Sequence, residues 1–171
     1  MMKRVITSVL FILLIGNLSG QDKRAELGVA AIGLVVSDIE SSENFYTQII
    51  GMSPAGAFSL DEEWSKEAGA AGNKPFSVKM FKIKEGASAT ILKLAYFDKI
   101  APRPPQTGID VNAGVNYLTF HLSLDDFKST VDRIKKANID ILGWVKRETY
   151  QLLFIKDPDG VFVELVAPPE N

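Results

Sequence analysis

The chain has no cysteine and one histidine, His121. The first absence excludes disulfide scaffolds, thiolate metal centres, cysteine nucleophiles and a lipidated N-terminal cysteine. The second excludes, within one chain, the usual catalytic zinc centres, which need two or more imidazoles. Neither sign of charge dominates: 19 basic and 21 acidic residues leave a net charge of −2. Nothing global therefore points to nucleic acid or to an anionic membrane surface as a partner. A phosphate loop, a dinucleotide fingerprint and a nucleophile elbow are all missing. What is present is globular in balance, with 46% apolar and 23% charged residues among 171. That length suits one ordinary domain or two small modules sharing a core.

Only one long apolar run occurs. It covers Val5 to Gly16, follows Lys3 and Arg4, and precedes Asn17-Leu18-Ser19-Gly20. A basic start, a short apolar core and small residues ahead of a polar stretch describe a secretory signal peptide. An uncleaved anchor is the competing reading, but a spanning helix needs roughly 20 residues and this run is shorter. Residues 1–20 are expected to be removed after Gly20, which leaves 21–171 as a single domain. Loss of Lys3 and Arg4 takes the charge balance to 17 − 21 = −4. The glycosylation-like Asn17-Leu18-Ser19 falls inside the signal and carries no weight.

The remaining chain shows one organisation twice. Val29 to Val36 reads as a buried strand, and Ser37 and Glu40 look like a capping box opening a helix that ends at Gly51. Val115 to Ser123 reads as a strand, followed by a helix opened by Asp125 or Asp126 and closed near Asn138. Three further strands follow each helix. In the first half they are Ala55–Leu60, Phe76–Lys84 and Ser88–Phe97; in the second, Ile141–Lys146, Tyr150–Lys156 and Val161–Val166. Asp157-Pro158-Asp159-Gly160 is a strong turn, because proline presets φ and glycine accepts positive φ. An inserted helix within Ser59 to Ala71 carries Trp64, expected to anchor in the core. Module one is thus about 28–97, a proline-rich linker 98–114, and module two 115–168.

The segment Ile32-Gly33-Leu34-Val35-Val36-Ser37-Asp38-Ile39-Glu40, with Phe45-Tyr46 and Ile50-Gly51-Met52, resembles the opening of the vicinal oxygen chelate superfamily. This is the glyoxalase, bleomycin-resistance and extradiol-dioxygenase group. Ile155 to Gly160 with Val163-Glu164-Leu165 resembles its closing motif. The resemblance implies an α+β fold in which two paired βαβββ modules form a cupped, eight-stranded mixed sheet with helices outside. It also implies four metal-ligand positions, occupied here by Ala31, Lys93, Tyr117 and Glu164. One carboxylate beside a lysine is a poor divalent site, so no metal and no other cofactor is expected.

Strand alternation places Ala31, Gly33, Lys93, Tyr117, Thr119, His121 and Glu164 on faces away from the helices. Lys93, Tyr117, His121 and Glu164 are therefore the expected ligand-binding residues, with Lys93 expected to replace the metal as the partner of Glu164. A solvated strand lysine is the plainer reading of Lys93, and a structural role the plainer reading of His121. Functionally, the leading expectation is a metal-free module that sequesters a small organic molecule. A lyase or isomerase using Glu164 as general base stands beside it, with Lys93 or Tyr117 stabilising an oxyanion. The resemblance adds a metal-dependent glyoxalase or dioxygenase. A structural domain with a filled cup fits poorly with small Ala31 and Gly33. A small molecule is the expected partner, nucleic acid and membrane are not, and the resemblance admits a homodimer. Mass spectrometry of native protein should find a mature N-terminus near Gln21, outside the cytoplasm; an intact Met1 in the soluble cytoplasmic fraction would contradict export.

Overall fold

The computed structural model describes residues 30–87 and 89–170. The expected signal peptide and Val29 lie outside them. The first module contains β1 (Ala31–Val35), α1 (Ile39–Asn44), β2 (Ser53–Leu60), α2 (Glu62–Ala68), β3 (Phe76–Lys82) and β4 (Ile91–Tyr96). The second contains β5 (Tyr117–His121), α3 (Leu124–Lys136), β6 (Gly143–Lys146), β7 (Gln151–Lys156) and β8 (Phe162–Ala167). Strand order is β1-β4-β3-β2 in one sheet and β5-β8-β7-β6 in the other. In each, the first strand pairs parallel with the last, and the other pairings are antiparallel. The repeat read from the sequence is real. Its eight strands are hydrogen-bonded as two sheets of four, with β1 and β5 each an edge.

Helix starts follow the chemistry of orphan N–H groups, but two of them differ from expectation. Asp38, not Ser37, caps α1 by accepting from the Glu40 and Ser41 amides at 3.0 and 3.2 Å. A carboxylate suits the positive helix end better than a hydroxyl, and Ser37 is drawn elsewhere. Ser123 caps α3 through the Asp126 amide, while Asp125 and Asp126 occupy the first turn. The helix after α1 widens into a π-helical stretch, Phe45–Ile50, whose Phe45, Tyr46, Ile49 and Ile50 are all buried. Gly51 ends it with φ at +93°. The carbonyls left over at that end are satisfied from the other module. Arg133 on α3 donates to Ile49 and Ile50 at 2.8 and 3.3 Å.

Helix-facing side chains of both sheets merge into one core. Phe81, Leu92 and Leu94 from the first sheet join Leu118, Leu153, Ile155, Val163 and Leu165 from the second. Trp64 does not join them. It is 44% exposed on the seven-residue α2, and its ring edge meets Phe76 at 6.0 Å, outside the core cluster.

The closing turn couples the modules. Asp157, 5% exposed, accepts from the Tyr46 hydroxyl at 2.8 Å and from the Asp159 and Val161 amides at 3.0 and 2.8 Å. Asp159 accepts from the Ser37 amide at 3.0 Å, from the Ser37 hydroxyl, and more distantly from Ser42. Burial pushes the Asp157 carboxyl above the usual range, although the Tyr46 and Val161 hydrogen bonds pull it down. Burial, helped by the charge of Asp157, pushes the Tyr46 phenol well above its ordinary value of 10.0. A phenol harder to ionise when folded gives its full stabilisation below about pH 10 and loses it as pH rises through the folded value. Tyr46→Phe should therefore cost about 1–3 kcal/mol in a neutral denaturant melt, by leaving a buried Asp157 oxygen unpaired. It should also remove part of the wild type's alkaline loss of stability. Asp157→Asn should be milder than Asp157→Ala, since an amide keeps an acceptor for the two backbone donors and turns an N–H toward Tyr46.

Candidate functional site

α1 packs against β4 and α3 against β8, and the sheet faces turned away from these two helices are left to line a site. Where β1 and β5 approach each other, a cleft of about 740 Å³ runs along the whole of β1, with Tyr117, Leu118 and Thr119 opposite. Small side chains make the room. Ala31 and Gly33 stand on the open face, and a Cβ added at Gly33 would meet nothing within 4 Å. The cleft is largely apolar, and Val35 and Val115 are 55% and 73% exposed. That is unusual for valines and leaves apolar surface for a ligand to cover.

Tyr117 lies in the cleft wall. The residue is 46% exposed, and its ring meets Phe154 edge-on at 6.2 Å, a contact that does not use the hydroxyl. Thr119 donates to Glu164 Oε2 at 2.6 Å, across the register pair that β5 makes with β8. Glu164 is thereby held, but it does not line the cleft. Lys93, paired in register with Gly33 and Met80, is half-buried and lies outside the cleft as well. His121 is exposed and faces a second, smaller cavity.

Lys93 and Glu164 form no ion pair; among the described residues the ion pairs are Lys79–Glu43 and Lys146–Glu170. The expected replacement of a metal by a lysine–glutamate bridge is not made within this chain. Glu164 Oε2 is taken by Thr119 on the neighbouring strand of its own sheet, while Lys93 stands on β4 of the other sheet.

Two groups in the cleft were not singled out from sequence. Arg103 reaches it from the linker and donates to Gln106 Oε1 at 3.1 Å. Gln106 is buried and its carbonyl accepts from Lys156 at 2.6 Å, so β7 pins the linker and with it Arg103. The signal available was a lone arginine between Pro102 and Pro104, in a stretch read only as a boundary. Asp159, the other group, also lines the cleft, with its carboxylate committed to Ser37.

The four positions do not fit a divalent ion. Ala31 offers no donor, Lys93 offers positive charge, and Glu164 is one carboxylate already accepting a hydrogen bond. Among the described residues no group of three or more His, Asp or Glu could hold a metal. A second copy would bring the same four residues, so pairing across subunits restores no ligand.

Comparison with known proteins settles the class. A family model for the Glyoxalase/Bleomycin resistance protein/Dioxygenase superfamily matches residues 28–165. The chain belongs to that superfamily. It is 28% identical over 136 residues to a Vibrio cholerae protein named "Probable lactoylglutathione lyase", covering 78% of this chain and 85% of that one. A glyoxalase/dioxygenase from Nostoc punctiforme shares the fold with a TM-score of 0.59 at 27% identity, over 95% of this chain and 100% of that one. A glyoxalase family protein from Bacillus cereus superposes with a TM-score of 0.69 at 18% identity, over 87% and 99%.

Because Lys93 and Glu164 are unpaired with each other, Lys93→Met and Glu164→Gln should each change stability by about 0.5 kcal/mol or less, and their effects should add. A denaturant double-mutant cycle checks this. Large single losses that are not additive would place the two side chains in contact in solution.

Proposed function

We propose that the protein is a binding member of its superfamily, exported from the cytoplasm, that holds a small organic molecule in the cleft between β1 and β5 without a divalent metal. The observation that carries this reading is the makeup of the cleft. Its walls are largely apolar, with Tyr117, Thr119, Arg103 and Asp159 as the polar groups. The Asp159 carboxylate is already engaged by Ser37, which leaves Arg103 as the charged group open to a ligand. A cleft of about 740 Å³ is within the range of small-molecule sites. An arginine that is held in place supports an anionic or strongly polar group on the ligand.

The name carried by the Vibrio cholerae relative supports a second reading, a lyase that uses Glu164 as general base. A base must lie within hydrogen-bond reach of the proton that it takes. Glu164 stands outside the cleft with Oε2 engaged by Thr119, so the binding reading is favoured.

Purified protein should carry no stoichiometric Zn, Fe, Mn, Ni or Mg by elemental analysis after dialysis. About one metal per chain retained through dialysis would overturn the metal-free reading. In a thermal-shift screen of small organic acids and amides with chelator present, at least one compound should raise the melting temperature. Gly33→Leu, which projects into open space, should abolish that shift while leaving the unliganded melt unchanged.

A further inference from the structure

A second cavity of about 370 Å³ lies at the same seam and shares Ile32, Leu118 and Thr119 with the larger cleft. The rest of its wall is different. Met52 follows the π-helical stretch, Leu92 comes from β4, Phe120 from β5, and Ile83, Lys84 and Thr90 from the β3–β4 connection. Its polar residues are Lys84, Thr90, Thr119 and His121, and the two that bring a nitrogen donor, Lys84 and His121, are both exposed at its rim. Among the described residues neither side chain makes a hydrogen bond or ion pair, and none of the residues lining the cavity carries a carboxylate. The nearest lysine on β3, Lys82, is turned away and donates to the Gly86 carbonyl at 3.1 Å.

We infer that this cavity is a second binding site, for a small apolar monocarboxylate whose body lies against Met52, Leu92, Leu118 and Phe120 and whose carboxylate meets Lys84 and His121. An apolar wall rewards an apolar body by removing it from water, and it gives nothing to a compact inorganic anion. The two nitrogen donors supply what a carboxylate loses when it is desolvated. A hydrogen bond with an ionised partner is roughly twice as strong as a neutral one, so the charged head should be preferred to an alcohol of the same shape. Met52 can adapt its unbranched chain to the body of the ligand. This inference does not depend on what fills the larger cleft, because Lys84, Thr90 and His121 line only the smaller cavity.

Isothermal titration of the purified protein with 4-phenylbutyrate, 4-phenylbutan-1-ol and inorganic phosphate tests it. The acid should bind saturably, the alcohol about tenfold more weakly, and phosphate should neither bind measurably nor compete. Lys84→Met and His121→Gln should each weaken the acid severalfold and leave the alcohol unchanged. Thr90 is exposed, so Thr90→Phe can fill the cavity without replacing a core side chain; it should abolish binding of both organic probes. Gly33→Leu in the larger cleft should leave the acid's affinity intact, and loss of binding there would assign the acid to the cleft instead. The inference is overturned if the wild type binds no acid, if acid and alcohol bind equally, if phosphate competes, or if Thr90→Phe binds as the wild type does.

Discussion

The structure depends on one buried carboxylate. Asp157 sits in the tight turn ahead of β8, and its three donors come from its own turn and from Tyr46 in the other module. Two residues on, Asp159 holds Ser37 just past the end of β1. One four-residue turn thus fixes the second module against both the strand and the helix that open the first. Desolvating a carboxylate is costly unless its oxygens are satisfied, which is why it accepts so many hydrogen bonds at once. β1 and β5 are edges of separate sheets and are not hydrogen-bonded to each other, and residues of both strands line both cavities.

Arg133 reinforces the coupling from the opposite side of the core. The π-helical stretch packs Phe45, Tyr46, Ile49 and Ile50 inward together, and its end leaves carbonyls that the first module does not pair. The second module's guanidinium supplies the donors, and Thr130 orients it at 2.7 Å. Each module is therefore chemically incomplete alone. The shared hydrophobic cluster says the same in apolar terms.

Much of this was legible in the sequence, and the limits are physical. Alternation sorted Tyr117, Thr119 and Glu164 from Leu118, Val163 and Leu165 correctly, because side-chain direction along a strand has a fixed period. Proline and glycine marked the closing turn, and the repeat followed from matching strand–helix patterns. Distance across the seam was not legible: Lys93 and Glu164 share a face type, but alternation says nothing about how far apart two sheets stand. Nor was the π-helical register, since inward residues at i, i+1, i+4 and i+5 suit an α-helix equally well. The partners of Asp157 and Asp159 lie more than a hundred residues away, and no local pattern announces them. Arg103 was hidden because a linker reads as punctuation.

The coupling contacts are also directional. Ser37 and Tyr46 donate only from the first module, while Asp157, Asp159 and Arg133 act only from the second. Two first modules brought face to face would find no acceptor for Tyr46 and no arginine for the π-helical end. A first module from one chain and a second module from another would satisfy every one of these bonds. The internal duplication has in this sense become a lock and its key, and its halves are no longer interchangeable copies. Nothing in those contacts distinguishes a partner in the same chain from one in another, so the choice between a folded monomer and a reciprocally exchanged pair falls to the tether, residues 98–114.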